Sequence, residues 1–183
     1  MTAQPPSQNA GDAPASTPTM RRTFTSVAGS VVAPRGFLAS GVYCDIKRLG
    51  TGKGSHKGQK RDLALIVSEV PATVAGLFTT NQVCAAPVKV CIPRAAKGRA
   101  QAIVVNSGNA NACTGPRGLR DAIEMAAVAA AQTHLPDEHV LVASTGRIGV
   151  PMPMANVRDG IRRAAGLLGN ATEHAAEAAE AIM

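Results

Sequence analysis

Residues 106–115, NSGNANACTG, combine groups that suit binding of an anion or a polarised carbonyl. They follow the apolar run 102–105 and precede an alanine-rich segment with helical spacing, which predicts a connection from a strand into a helix N-terminus. Backbone N–H groups at such a terminus lack partners within the helix and can point at a ligand. Gly108 and Gly115 permit close backbone approach or a positive φ, and the Thr114 hydroxyl stands directly before Gly115. The stretch therefore predicts a reactive turn, with a polar turn capped by threonine or asparagine as the structural alternative.

A second polar turn, residues 144–149 (STGRIG), has the same kind of surroundings. It follows the apolar run 140–143 and precedes a helical pattern over 154–168, which Gly169 is expected to end. The chain thus has two strand-to-helix turns, and each carries a Thr-Gly pair.

The elements that position these turns alternate between strand and helix patterns. A continuous apolar run at 63–67 is typical of a strand covered on both faces. Further strands are predicted at 74–79, 88–92, 102–105 and 140–143. A helix is predicted between Pro116 and Pro136. Its expected inner face comprises Ile123, Ala126, Ala127, Ala130 and Ala131, with Arg120, Asp121 and Glu124 on its other faces. This order predicts an α/β layered sandwich of mixed β-sheet and helices.

The amino-acid composition argues against a nucleic-acid-binding function and shows where the positive charge lies. The chain has 183 residues, of which 45% are hydrophobic but only 2% aromatic. Because nucleic-acid stacking surfaces need aromatic side chains among basic ones, no nucleic-acid partner is expected. The net charge of +7 is concentrated at 47–61, a glycine- and lysine-rich stretch whose role stays open between a solvated loop and a binding site for an acidic partner.

Cysteine spacing and hydropathy exclude two more classes. The four cysteines form no C-x-x-C pair, and with the histidines they match no zinc template. No apolar span reaches the length of a transmembrane helix, so no membrane partner is expected and a cytoplasmic location is the default. Residues 1–30 are predicted to form a disordered tail, since they are rich in Pro, Ala, Ser and Thr, and 31–183 to form one domain.

The two turns, taken together, are similar to the signature loops of the ornithine acetyltransferases, also called glutamate N-acetyltransferases. The segments 61–66 (RDLALI), 78–81 (FTTN) and 86–88 (APV) resemble the same family in the same order. The likeness extends from about residue 34 to residue 183, and the ten-residue asparagine stretch is its most specific part.

The resemblance implies an activity and its machinery. A precursor would cleave itself after Met183, and the following threonine would become the N-terminal nucleophile of a second, β chain that completes the fold. The threonine would take an acetyl group from N2-acetyl-L-ornithine and pass it to L-glutamate. Thr114 and Gly115 would form the oxyanion hole, and Thr145 would touch the substrate. The resemblance further implies an α2β2 assembly and no cofactor, with acetyl-CoA left open as a co-substrate.

Two departures from the family and two rival functions remain. The loop 53–60 looks like an insertion relative to the family. The family's substrate-binding lysine near the end of this chain has no counterpart in 164–183, so no residue is assigned to that role. A related self-cleaving amidase or aminopeptidase would use the same threonine on other amides. A non-catalytic module that binds an acidic partner through the basic stretch is the more distant rival.

Overall fold

The structure, a computed structural model, describes residues 24–51 and 60–183. Most of the predicted tail and of the glycine- and lysine-rich stretch lies outside these residues, so both stay predictions. The regular elements are β1 (Phe37–Val42), α1 (Ile46–Thr51), β2 (Leu63–Thr73), α2 (Ala86–Ala95), β3 (Arg99–Asn109), α3 (Gly115–Thr133), β4 (Val140–Arg147), α4 (Met154–Gly166) and α5 (Thr172–Ile182), with short 3₁₀ turns at Ser30–Val32 and Asp137–His139.

The sheet is mixed, as predicted. Its strands lie in the order β1-β2-β3-β4, antiparallel except for the parallel pair of β3 and β4. Alternate residues of β2 point to opposite faces of the sheet. Leu63 and Leu65 belong to a core shared with α2, α3 and α4, whereas Ala64 and Ile66 pack with α5. The result is a layered α/β arrangement with three helices on one face of the sheet and α5 on the other.

Helix α2 covers the outer edge of β4. The Cys91 thiol donates to the Val142 carbonyl (3.1 Å) and accepts from the Val142 N–H (3.3 Å). The Arg94 guanidinium donates to the Val140 carbonyl (2.6 Å) and pairs with Asp137. Burial raises the pKa of the Cys91 thiol, which keeps it a donor. Backbone groups that would otherwise form an open sheet edge are therefore satisfied by side chains.

The strand predictions were confirmed at 63–67, 102–105 and 140–143 and were wrong at 74–79 and 88–92. Residues 88–92 lie inside α2, where Pro87 occupies the first turn, a position that needs no N–H. Residues 74–79 are irregular because β2 ends at Thr73, which pairs with Arg99, the first residue of β3. Beyond that pair, the Val74 N–H still donates to the Gly98 carbonyl (3.1 Å), but Gly98 lies in the turn from α2 (φ +73°), so the ladder ends there.

The helix prediction for 154–168 was confirmed by α4, and the helix between Pro116 and Pro136 by α3, but the inner face of α3 was predicted correctly only in part. Ala126 and Ala130 are buried as predicted, whereas Ile123, Ala127 and Ala131 are exposed. Asp121, predicted on another face, belongs to the buried face, which comprises Gly118, Asp121, Ala122, Met125, Ala126, Ala129 and Ala130. Among the described residues, no helix combines the length and apolar character needed to cross a membrane.

We expect Cys91→Ala to lower the free energy of unfolding by about 1–3 kcal/mol, because two backbone groups of Val142 lose their partner. Chemical denaturation of the protein measures the change. Ile92→Ala is the matched control, since Ile92 follows Cys91 in α2 but is 44% exposed. Equal losses for the two variants would show that the thiol does not protect the strand edge.

Candidate functional site

The two polar turns meet at the ends of the parallel strands. β3 continues to Asn109 and β4 to Arg147, so the first part of each predicted turn is in fact strand. The Ala110 N–H donates to the Arg147 carbonyl (2.9 Å), and the Gly149 N–H donates to the Ala112 carbonyl (2.8 Å). The two signature stretches therefore form one continuous structure.

Two glycines permit close backbone contacts at the strand ends, Gly146 between β4 and β3 and Gly108 between β3 and α1. Gly108 has φ +99° and Gly146 has φ +128°, values that side chains rarely adopt. A Cβ on Gly146 would lie 2.4 Å from the Gly108 carbonyl carbon, and one on Gly108 would lie 2.5 Å from the Lys47 Cα. Only glycine fits at either position without moving the backbone.

Three fully buried asparagines hold the turn that leaves β3. The Asn106 amide donates to the Asn109 carbonyl (2.9 Å). The Asn109 amide donates to the carbonyls of Val150 and Pro151 (3.0 and 3.2 Å), and its own oxygen accepts from the Asn111 N–H (2.8 Å). Each amide thus ties this turn to backbone, including the loop that follows β4.

The third asparagine reaches into α3. Asn111, at φ +47°, donates through Nδ2 to the Gly118 carbonyl (2.8 Å). Its Oδ1 accepts from the Thr114 hydroxyl (2.7 Å). Thr114 stands at the N-cap position of α3, but its hydroxyl makes no capping bond to the backbone. The helix-cap alternative for Thr114 is therefore not what the structure shows.

Thr114 and Gly115 line a cleft of about 500 Å³. Gly115 is the first residue of α3, so its N–H has no acceptor within the helix. The cleft is lined by Gln82, Val83, Cys84, Ala86, Lys89, Cys113, Thr114, Gly115, Pro116 and Leu119. Lys89 is the one charged side chain in this set. A cleft with a helix N-terminus and a lysine has a positive character that suits an anionic ligand or a developing oxyanion.

The other two predicted site residues do not line this cleft. Thr145 pairs across the sheet with Ser107, whose hydroxyl donates to the Ala181 carbonyl near the end of α5. Thr145 is exposed, and Met183, beyond the end of α5, is 86% exposed. The structure therefore places Thr145 on the strand next to the residue that holds α5, apart from the residues that line the cleft.

Sequence reasoning missed the bonds that the buried amides make to the Val150, Pro151 and Gly118 carbonyls, and it missed the burial of Asp121. Asp121 faces the core from α3, and burial raises its pKa. The Asn106 Oδ1 and the Ser144 Oγ, which belong to directly paired residues, are buried without a partner. Within the described part of the chain, no cluster of three or more His, Cys, Asp or Glu could hold a metal ion. Gly118, a glycine within α3, was the one signal in the sequence that other side chains pack closely against the first turns of this helix.

We expect Gly118→Ala to destabilise the protein, although glycine-to-alanine changes inside helices usually stabilise by about 0.5–1 kcal/mol. A Cβ at this position would lie 1.8 Å from the Thr114 Oγ1 and 2.3 Å from the Asn111 Oδ1. The threonine must turn away, and a buried amide oxygen left without its donor costs about 1–3 kcal/mol. Chemical denaturation measures the change. Gly166→Ala, in open space at the end of α4, is the control and should be neutral or stabilising. If Gly118→Ala were as stable as the control, a side chain at this position would not displace the Thr114 hydroxyl from Asn111.

Comparison with known proteins places the chain among relatives of one kind. The arginine biosynthesis bifunctional protein ArgJ of Symbiobacterium thermophilum is 52% identical over 157 residues, which make up 86% of this chain and 37% of the relative. The protein of the same name from Caldanaerobacter subterraneus is 51% identical over 155 residues, 85% of this chain and 36% of the relative. The chain thus spans little more than a third of these curated relatives.

Two solved structures share the fold. The crystal structure of the arginine biosynthesis bifunctional protein ArgJ from Bacillus halodurans superposes with a TM-score of 0.74 at 42% identity and covers 83% of this chain and 74% of that one. The ornithine acetyltransferase of Mycobacterium tuberculosis, solved in complex with ornithine, gives a TM-score of 0.75 at 38% identity and covers 84% and 78%. The model of the ArgJ family matches residues 40–183, most of the sequence. The chain belongs to the ArgJ family.

Proposed function

We propose that this chain forms part of an acetyltransferase that moves an acetyl group from N2-acetyl-L-ornithine to L-glutamate. The observation that carries the proposal is that Thr114 and Gly115 together line one cleft at the start of α3. The names of the similar proteins point to the same chemistry, since one solved relative is an ornithine acetyltransferase with bound ornithine.

The cleft suits the two half-reactions of such a transfer. Attack on the acetyl carbonyl and its later release both pass through a tetrahedral intermediate with a developing negative charge. Donors held in place beforehand stabilise that charge. Gly115 would supply a backbone N–H at the positive end of the α3 dipole, and Thr114 would supply a hydroxyl. A volume of about 500 Å³ lies within the range of small-ligand sites.

The nucleophile in this proposal is an N-terminal threonine on a second chain. Such a residue can use its own α-amino group as the general base, so no histidine is required in the cleft. The threonine would first carry the acetyl group and then yield it to glutamate, in a ping-pong mechanism. Thr145 is proposed as a substrate contact, and the use of acetyl-CoA as an alternative donor stays open.

The lengths of the relatives support a division into two chains. This chain covers 74% and 78% of the two solved chains but only 37% and 36% of the curated proteins, so the solved chains are much shorter. We propose that the remainder forms the β chain and that two copies of each assemble as α2β2. Cleavage after Met183 stays a prediction. The first residue of the second chain tests it, since a start further along would move the cleaved bond.

We expect Thr114→Ala to slow acetyl transfer about 10²- to 10³-fold, because one oxyanion donor is lost while Gly115 keeps its N–H. The loss should appear in kcat more than in KM, since the donor acts on the transition state. The assay uses the two chains co-expressed, with the β chain supplied already starting at threonine, so that a defect in self-cleavage cannot mimic the result.

The same assay separates the rival functions. Unchanged kcat in the Thr114→Ala enzyme would remove the threonine from the oxyanion hole. A parent enzyme that hydrolyses amides or peptides and does not transfer acetyl from acetylornithine would favour the related amidase.

A further inference from the structure

We infer that Asn111 is a positioning residue that governs the Thr114 hydroxyl and reserves it for the oxyanion. This inference rests on the proposed function and deepens it. It concerns how one donor of the proposed oxyanion hole distinguishes the transition state from the substrate.

The orientation of the Asn111 amide is set by α3. A backbone carbonyl can only accept a hydrogen bond, so the amide group that lies 2.8 Å from the Gly118 carbonyl oxygen must be the Nδ2. The Oδ1 therefore faces Thr114. Turning the amide over would bring two acceptors together at Gly118 and break that bond.

The hydrogen of Thr114 then has a defined position. The Asn111 Oδ1 carries no hydrogen, and the threonine hydroxyl carries one, so the 2.7 Å contact is a donation from Thr114 to Asn111. In this state the hydroxyl presents only lone pairs to other neighbours. It must give up the bond to Asn111 before it can donate to a ligand in the cleft.

The Asn111 amide cannot move with the Thr114 hydroxyl when that hydroxyl turns toward the cleft. Its side chain is fully buried, and its N–H donates to the Asn109 Oδ1 (2.8 Å). Its carbonyl accepts from the Ala86 N–H (3.1 Å) at the start of α2. The amide is thus held from both sides, and the hydroxyl rotor of Thr114 is the part that moves.

The competition between acceptors produces selectivity for the transition state. A neutral substrate carbonyl and a neutral amide oxygen accept with similar strength, so a bound substrate has little power to draw the hydrogen away from Asn111. An oxyanion accepts about twice as strongly, because the bond is charge-assisted. The hydroxyl would therefore turn to the reacting group only as negative charge develops there, and such a contact raises kcat rather than substrate affinity.

Asn111 also selects the side-chain rotamer of Thr114. A threonine side chain has three staggered wells, and the bond to Oδ1 favours the one seen here. Removing that oxygen leaves the other wells open to the hydroxyl. The catalytic contribution of Thr114 should then be lost even though the threonine is still present.

A double-mutant cycle on the co-expressed two-chain enzyme tests the inference. We expect Asn111→Ala to lower kcat at least about tenfold with KM within about threefold, and to add almost nothing to kcat once Thr114→Ala is present. Asn156→Ala is the matched control. The amide of Asn156, in α4, also donates to a backbone carbonyl, that of Cys44 (3.0 Å), but Asn156 does not line the cleft. The Asn156→Ala change should leave kcat unchanged in both backgrounds.

Asn111→Asp is the second variant, because aspartate also tolerates the left-handed backbone. Its carboxylate should hold the hydroxyl hydrogen more tightly and repel the oxyanion, so kcat should fall further as the carboxylate ionises with rising pH. The carboxylate also removes the donor to the Gly118 carbonyl, so a purely structural Asn111 predicts a pH-dependent loss as well. That structural loss should be equally large in the Thr114→Ala background, whereas a role through the Thr114 hydroxyl predicts a smaller loss there.

The outcomes separate the inference from the proposed function. If the Asn111→Ala and Thr114→Ala effects multiply, or if Asn111→Asp keeps parental kcat at every pH, Asn111 does not act through Thr114 and the inference is overturned. If Asn111→Ala does not fold, the Asn111→Asp profile in the two backgrounds decides. A parent enzyme without acetyl transfer overturns the proposed function and the inference with it, whereas an active parent with multiplicative effects overturns the inference alone.

Discussion

Three buried asparagine amides at the end of β3 set the path of the chain into α3. A fully buried amide must find hydrogen-bond partners, because leaving its groups unpaired away from water is costly. The donors of Asn106, Asn109 and Asn111 all end on backbone carbonyls, which lie in the turn itself, after β4 and inside α3. The turn that carries Thr114 and Gly115 is thus stabilised internally and fixed to two other parts of the fold, the loop after β4 and α3.

The parallel pairing of β3 and β4 makes this arrangement possible. The carboxyl ends of parallel strands lie at the same edge of a sheet, where the loops that follow can build one site. Gly146 lets β4 approach β3, and Gly108 lets β3 approach α1, more closely than a residue with a Cβ would allow. Helix α2 then closes the outer side of β4 and also contributes Ala86 and Lys89 to the cleft lining. The site therefore depends on elements that are distant in sequence.

Sequence patterns were sufficient for three of the four strands of the sheet, β2, β3 and β4, and for the location of the turns, but they did not predict β1. The apolar runs at 63–67, 102–105 and 140–143 predicted strands because buried strands need continuous apolar residues. The strand prediction for 88–92 failed because alternating valines also fit a helix that buries one face. Only the packing of α2 on β4 favours the helix over the strand. The long-range amide bond of Asn109 was not predictable, since its partner lies 41 residues away in the sequence.

In the proposed mechanism, the cleft at the start of α3 serves acyl transfer through an N-terminal threonine on the partner chain. The mass of each chain of the two-chain enzyme, measured after incubation with N2-acetylornithine in the absence of glutamate, tests this mechanism. We expect the threonine-initiated chain to gain the mass of one acetyl group and to lose it when glutamate is added. An enzyme that transfers acetyl without ever acetylating that chain, or that carries the acetyl group on Cys113 or Lys89 of this cleft, would contradict it.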